Sequence, residues 1–252
     1  MCSLVVRFAP ASEVPLLLAA NRDEREERPW DPPARHWPDR PEVVAGRDRE
    51  AGGSWLGVSD FGLVAAVLNR AGSLGPAPDR RSRGELVLEA LDHVEAAAAA
   101  RALACIEPTS YRPFNLFVAD VHSAFWIRSD GHRVTVRALD AGVHMLTSRE
   151  LDDPECPRIR AFLPRFRETA AGDPLEDPAH PWRRLLAEHT SPTGDPVHAM
   201  CIHTDFGYGS VSASLIALPA DPLAPPRWLF APGKPCRGAF APVDTAPGAG
   251  RA

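Results

Sequence analysis

The first 24 residues, MCSLVVRFAPASEVPLLLAANRDE, contain the pattern that decides the fold. Residues 2–8 and 14–20 are two apolar runs rich in valine and leucine, and a short proline-containing turn separates them. Such runs on either side of a turn predict a β-hairpin. The second strand of that hairpin leads directly into Asn21-Arg22-Asp23-Glu24, which we expect to form a charged turn close to Cys2.

Cys2 has the chemistry of a nucleophile that carries its own base. Methionine aminopeptidase removes Met1 when the second residue is small. The new terminus then has an α-amine with a pKa of about 8 beside a thiol with a pKa of about 8.5, and the neutral amine can accept the thiol proton. An Asp23 carboxylate can orient the ammonium group, and the Arg22 guanidinium can lower the thiol pKa. We therefore expect Asp23→Asn to reduce activity much more than stability.

The rest of the chain alternates sets of strands with helices. A long charged, proline-rich loop is predicted over residues 21–53, followed by a hairpin over 54–69. Ser82 and Glu85 form a capping box that predicts one helix ending near residue 104. Later elements are a three-stranded meander over 114–139, a strand at 144–148, helices at 158–170 and 182–188, and strands at 199–204, 210–218 and 228–230. Two antiparallel sheets with helices outside, or one large sheet covered on one face, satisfy this order.

Composition and charge exclude several classes of protein. The 252 residues fit a single domain over 1–241, and the small, polar residues 242–252 predict a disordered tail. The net charge is -5 with no basic block, which argues against a nucleic-acid partner. The apolar runs are too short for integral membrane insertion, and no signal peptide is recognisable. Five cysteines without a CxxC pair indicate reduced thiols in the cytoplasm.

The sequence contains only weak indications of a metal or haem site. Cys201 and His203 share one face of a predicted strand, where a packed thiol and a hydrogen-bonded core histidine are the more common outcome. The nine histidines show no metal-ligand spacing, so the sequence predicts no metal site and no required cofactor. Cys156-Pro157 matches a short element of some haem-responsive sites, although a proline after a loop cysteine is ordinary in this chain.

The N-terminal residues by themselves leave open that Cys2 is incidental and that the tetrapeptide is a solvated turn. However, Met1-Cys2 followed by a hydrophobic strand and then Ala19-Ala20-Asn21-Arg22-Asp23-Glu24 resembles the NRDE family, the transport-and-Golgi-organisation type of protein. Further segments agree in order: Gly52-Gly53-Ser54-Trp55-Leu56-Gly57-Val58, Val67-Leu68-Asn69-Arg70, Ser82-Arg83-Gly84-Glu85-Leu86, Phe114-Asn115-Leu116 and Tyr208-Gly209-Ser210. The resemblance covers residues 1–235.

The resemblance implies an α+β fold of the N-terminal nucleophile hydrolase type, a four-layer α-β-β-α sandwich of two antiparallel sheets. It implies that Arg22 and Asp23 flank the nucleophile, and that the side-chain amides of Asn69 and Asn115 hold the oxyanion. The chain departs from the family pattern at Ser148, where an asparagine is usual, and at Val211, where an arginine is usual.

We therefore predict an N-terminal-cysteine hydrolase or acyl-transfer enzyme that acts on an amide or thioester of a small, largely apolar substrate. Asn21, Trp30 and Trp55 are expected to contact that substrate, although both tryptophans also suit core or sheet-edge positions. The alternative, which the resemblance also implies, is a non-catalytic protein that binds haem or an acyl-CoA in the same cleft. The sequence does not determine the oligomeric state.

Overall fold

A computed structural model describes residues 2–75 and 77–247. In this part of the chain, thirteen strands form two antiparallel sheets. The first sheet has the order β10 (Gly142–Leu146), β1 (Ser3–Phe8), β2 (Leu16–Arg25), β11 (Tyr208–Leu218), β12 (Arg227–Pro232) and β13 (Ala241–Pro242). The second has the order β3 (Trp30–Ala34), β4 (Val43–Asp48), β5 (Leu56–Ser59), β6 (Val64–Asn69), β7 (Phe114–Ala119), β8 (Ala124–Ser129) and β9 (Val134–Ala138).

Both sheets are buried on their two faces, which explains why many strands are continuous apolar runs. Alternate residues of β1, such as Leu4 and Val6, pack between the sheets against residues such as Leu56. The opposite face of the first sheet packs on α3 (Pro157–Glu168) and α4 (Pro181–Leu186), and the opposite face of the second packs on α1 (Glu85–Leu91) and α2 (Ala96–Leu103). The four-layer α-β-β-α arrangement is therefore confirmed, and the single-sheet alternative is wrong.

The charged tetrapeptide lies in a strand instead of a turn. β2 continues through Asn21 and Asp23 to Arg25, because this segment pairs with β11 and satisfies its backbone hydrogen bonds there. The loop predicted over 21–53 also contains β3 and β4, which pair with each other. Conversely, the strand predicted over 199–204 is absent from the described residues apart from an isolated bridge between His203 and Gly209.

The helix predicted to run from Ser82 to residue 104 is two helices. The break falls between Leu91 and Ala96, where the carboxylate of Asp120 accepts a hydrogen bond of 2.8 Å from the Ala96 backbone N–H. A helix N-terminus has unsatisfied N–H groups, so this carboxylate starts the second helix at that position. The Ser82 hydroxyl instead accepts from the Gly84 N–H at 3.2 Å.

Residues 243–247, which belong to the tail expected from residue 242, are among the residues that the structure describes. The Val243 N–H donates to the Trp228 carbonyl at 2.9 Å, and the Thr245 hydroxyl donates to the Pro226 carbonyl. These contacts involve residues of the expected tail, and residues 248–252 of that tail lie outside the described residues. Among the described helices, none is long and apolar enough to cross a membrane.

Candidate functional site

A cleft opens between the two sheets at the start of β1. Its empty volume, including the open solvent at its mouth, is about 340 Å³. Most of its lining is apolar. Prominent lining residues are Cys2, Leu4, Arg22, Trp55, Leu56 and Leu68, together with the hydroxyl-bearing Ser212 and Ser214. A cleft of this kind suits an apolar group attached to a small polar function.

Cys2 lies at this cleft and is half-buried. Its Sγ is 3.7 Å from the backbone carbonyl oxygen of Asp23, so the hairpin brings Cys2 to the backbone of Asp23. Burial raises the pKa of the Cys2 thiol, and the positive charge of Arg22 offsets that shift only in part. Arg22 lowers the thiol pKa as expected, but desolvation is the larger effect and the net shift of the pKa is upward.

Arg22 provides a buried positive charge at the cleft. Its guanidinium lies over the Trp55 ring at 4.1 Å from the centroid, and its Nη2 is 3.6 Å from Oδ2 of Asp48. Its Nη1 is buried, and no hydrogen-bond partner for this atom is found in the described part of the chain. Since burying an unpaired donor is costly, this atom is well suited to bind a carbonyl oxygen of a ligand.

Two tryptophans support Arg22. Trp55 borders the cleft, whereas Trp30 packs edge-on against Trp55 at a centroid distance of 5.8 Å. The Trp55 ring lies directly on the backbone of Gly46, where an added Cβ would be 2.3 Å from the ring. Glycine at this position therefore allows the ring to lie flat beneath the guanidinium.

Asp23 points to the opposite face of the same sheet. Its Oδ2 accepts a hydrogen bond of 3.1 Å from Nη1 of Arg158, and the side chains are 0% and 2% exposed, respectively. Its Oδ1 accepts from the Ser210 hydroxyl at 2.5 Å. Arg158 Nη1 also donates to the Ser3 hydroxyl at 3.2 Å. Asp23 is therefore part of a buried network behind the nucleophile and not a solvated turn residue.

A β-bulge places two serines of β11 on opposite faces of the sheet. Ser210 pairs with Asp23 and Ser212 pairs with Arg22, so the strand gains one residue, Val211, between them. In a regular strand, residues two apart share a face, but a bulge redirects the following side chains. Ser210 consequently reaches Asp23, while Ser212 borders the cleft.

The three predicted asparagines have different surroundings. The Asn21 side-chain amide donates to the carbonyls of Leu186 and Met200, both at 2.9 Å, on the helix-covered face. Asn115 donates from Nδ2 to the carbonyls of Thr147 and Arg149, both at 2.8 Å, so its two N–H groups are already engaged. Asn69 is the last residue of β6 and pairs with Phe114. Oxyanion binding by Asn69 and Asn115 stays a prediction.

Sequence reasoning missed Arg158, Ser210 and the two cleft serines. A signal for Arg158 exists, because it precedes Phe162 and Phe166 by four and eight residues and so lies on the apolar stripe of its helix. The bulge at Val211 has no comparable signal, since its position depends on pairing with β2.

Cys156, the weak haem candidate, is the N-cap of α3 and is buried, with its Sγ 3.5 Å from the Thr147 hydroxyl. It packs in the core beneath the helices, so its surroundings are those of a structural thiol, and it is not among the residues that line the cleft.

Comparison with known proteins identifies relatives along most of the chain. The family model described as "Transport and Golgi organisation 2" matches residues 1–219. A bovine Transport and Golgi organization protein 2 homolog is 37% identical over 254 residues, covering 88% of this chain and 90% of the relative. The mouse homolog is 35% identical over 133 residues, so the chain spans about half the length of that relative, 47%.

Solved structures of low sequence identity share the fold. The Caenorhabditis elegans ortholog of N-acylethanolamine-hydrolyzing acid amidase has a TM-score of 0.57 at 12% identity, covering 88% of this chain and 94% of its own. A cysteine-to-alanine variant of conjugated bile acid hydrolase from Clostridium perfringens has a TM-score of 0.53 at 8% identity, with 97% of each chain covered. Penicillin V acylase from Agrobacterium tumefaciens has a TM-score of 0.52 at 12% identity, covering 92% and 83%. The fold is N-terminal nucleophile hydrolase-like, and the chain belongs to the Transport and Golgi organisation 2 family.

Proposed function

We propose that this chain is an N-terminal-cysteine hydrolase that cleaves an amide or thioester of a small apolar acyl group. One observation supports this most directly. Cys2 and Arg22 both line the same apolar cleft, and no hydrogen-bond partner for the buried Nη1 of Arg22 is found among the described residues. A nucleophile and a cation beside one apolar surface can hold an acyl group and polarise its carbonyl.

The proposed reaction begins after removal of Met1. The Cys2 sulfur forms a bond to the substrate carbonyl carbon, and the thiol proton passes to the α-amine. Arg22 Nη1 donates to the carbonyl oxygen as negative charge develops on it. The bond to the leaving nitrogen or sulfur then breaks, and the amine returns the proton to the leaving group. Water attacks the resulting thioester with the amine again as base, which releases a carboxylic acid and restores the thiol.

Asp23 has an electrostatic role in this proposal. Its carboxylate is paired with Arg158, and the network lies directly behind the β1 and β2 residues that flank Cys2. The negative charge favours the protonated form of the nearby α-amine, which forms when the thiol gives up its proton. Buried partners on both carboxylate oxygens keep this charge in a fixed position.

The cleft favours a compact acyl group as the substrate. Its lining includes Leu4, Leu56 and Leu68, and its empty volume is about 340 Å³ with the open mouth counted, so the enclosed space is narrow. The structural neighbours are named as an amidase, an acylase and a bile acid hydrolase, which agrees with carbonyl chemistry in this fold. Fold alone does not define activity, so the substrate is assigned from the cleft.

The test combines processing and turnover. Intact mass of protein isolated from cells should show a chain that begins at Cys2. A panel of N-acyl ethanolamides and acyl-CoA thioesters of increasing chain length should show turnover by the wild type, and mass spectrometry should find the acyl group on Cys2. Cys2→Ala should lose activity on the order of a thousandfold or more. Cys105→Ala is the matched control, because Cys105 is exposed.

Retention of Met1 in the isolated protein, or equal turnover by Cys2→Ala, would contradict the hydrolase. The second candidate is a carrier of haem or an acyl-CoA, favoured by the largely apolar lining of the cleft. Titration with haem, followed by its Soret band, and with a non-hydrolysable acyl-CoA separates these ligands. Tight binding that is indifferent to Cys2→Ala, without turnover, supports the carrier.

A further inference from the structure

Three potential metal ligands meet beside the first sheet, away from the cleft. The Sγ atoms of Cys201 and Cys236 are 3.4 Å apart. The Nε2 atom of His203 lies 3.4 Å from the Cys201 sulfur and 3.0 Å from the Cys236 sulfur. Cys201 is buried, whereas the other two are half-buried, so the group has one side towards solvent. Two cysteines and a histidine therefore surround one point.

We propose that Cys201, His203 and Cys236 bind a divalent cation of the zinc class, with water in the fourth position. Zinc bonds of about 2.3 Å to sulfur and about 2.0 Å to nitrogen place tetrahedral ligand atoms roughly 3.5–3.8 Å apart. The observed separations of 3.4, 3.4 and 3.0 Å are shorter than these by up to about 0.5 Å. Small rotations of the side chains therefore convert this cluster into a coordination sphere. Thiolate and imidazole ligands favour zinc over magnesium or calcium.

The backbone holds two parts of the chain in place for this site. Cys201 donates from its N–H to the Glu188 carbonyl at 2.9 Å. Cys236 lies in the turn after β12, where the N–H groups of Arg237 and Gly238 both donate to the Lys234 carbonyl at 2.9 Å. The ligands are thus supplied by two hydrogen-bonded segments, which reduces the ordering cost of binding. Sequence spacing did not indicate the site, because Cys236 is far from the other two ligands in the chain.

The bound cation would fix the position of the segment that supports Asp23. The Met200 carbonyl accepts the Asn21 side-chain amide at 2.9 Å. The Ile202 N–H donates to the Ser210 hydroxyl at 2.9 Å, and this hydroxyl donates to Asp23 at 2.5 Å. Fixing Cys201 and His203 to Cys236 therefore holds the segment that supports the Asp23 network. Metal binding does not depend on Cys2 chemistry and stands independently of the hydrolase proposal.

The experiment uses the reduced full-length protein. After incubation with zinc and desalting, elemental analysis should find one zinc per chain. With cobalt, the protein should show thiolate-to-metal charge-transfer absorption and the intense visible bands of a tetrahedral site. Cys236→Ser should reduce cobalt affinity about tenfold or more, whereas Cys105→Ser should leave it unchanged. Hydrogen exchange over residues 199–204 should slow on loading of the wild type and stay unchanged for Cys236→Ser.

Three results would overturn the proposal. These are the absence of stoichiometric zinc in the reduced wild type, cobalt absorption that Cys236→Ser leaves intact, and a mass two hydrogens lower that assigns Cys201 and Cys236 to a disulfide in the protein isolated from cells. Because stoichiometry and absorption are measured on the wild type, a poorly folded variant cannot obscure the outcome. Full retention of the spectrum after Cys201→Ser would contradict it as well.

Discussion

Arg158 and Asp23, which are 135 residues apart in the chain, form a buried ion pair with 3.1 Å between Nη1 and Oδ2. The pair lies behind the strand hairpin that presents Cys2 at the cleft. Removing one partner of such a pair leaves the other charge buried without compensation. The pair therefore links the stability of the fold to the electrostatics of the proposed nucleophile.

Asp23→Asn is expected to destabilise the protein by about 3 kcal/mol, because it leaves the Arg158 guanidinium without its counter-ion. From sequence we expected the substitution to reduce activity much more than stability, whereas the buried pair predicts a substantial loss of stability as well. Chemical denaturation measures the change. Asp92→Asn is the matched control, since Asp92 also pairs with an arginine, Arg40, but at the exposed surface, and should cost less than about 1 kcal/mol. An equal loss of unfolding free energy in the two variants would show that the buried ion pair contributes no more to stability than the exposed one.

Ser210→Ala and Ser212→Ala should differ in how much they destabilise the protein, although the two residues are only two positions apart in one strand. Ser210 accepts from the Ile202 N–H and donates to Asp23, so its loss should cost about 1–3 kcal/mol. Ser212 borders the cleft instead. Its replacement by alanine should therefore destabilise the protein less, because the Asp23 carboxylate keeps its hydrogen-bond donors. Thermal and denaturant unfolding of both variants tests this difference. A larger cost for Ser212→Ala would mean that the bulge does not place the serines as described.

Gly46→Ala should displace the Trp55 ring, because the new Cβ would lie 2.3 Å from it. Overpacking of this kind costs about 1–3 kcal/mol, and the shifted ring should weaken its contact with Arg22. Unfolding experiments and tryptophan fluorescence provide the measurement. In a Trp55→Leu background the same glycine substitution should become nearly neutral. If Gly46→Ala destabilises the Trp55→Leu protein by as much as the wild type, the new Cβ does not clash with the Trp55 ring.

His144 should stabilise the protein in a pH-dependent manner. Its Nδ1 lies 2.7 Å from Oδ2 of Asp152, and this hydrogen bond raises the His144 pKa, partly opposed by burial and, to a smaller extent, by Arg167 from α3. Because the folded-state pKa is above the unfolded value of about 6.5, the stabilisation is complete below that pH and is lost as pH rises through the folded-state pKa.

Denaturation at about pH 5.5 and about pH 8.5 measures this effect. Between those two values the cost of His144→Gln should fall by about 1 kcal/mol. His132→Gln, at an exposed turn, provides the comparison and should show no such change. A His144→Gln cost that is independent of pH would contradict the ion pair.

The sequence by itself determined the hairpin that starts the chain, the meander of β7–β9 and the family pattern around Cys2. These features depend on local alternation of apolar residues and on turns of a few residues, which one stretch of sequence contains. For the same reason the hairpin could be expected to bring Cys2 to the backbone of Asp23, since adjacent strands of a hairpin must lie together.

Only the tertiary structure decided which face each charged residue of β2 occupies and what it contacts there. Arg22 meets Trp55 from the second sheet, Asp23 meets Arg158 from α3, and Asp120 starts α2 from a strand end. The tertiary structure likewise brings Cys201 and His203 close to Cys236. Such contacts join segments far apart in the chain, and burial, which raises the Cys2 pKa, is a property of the packed layers and not of local sequence.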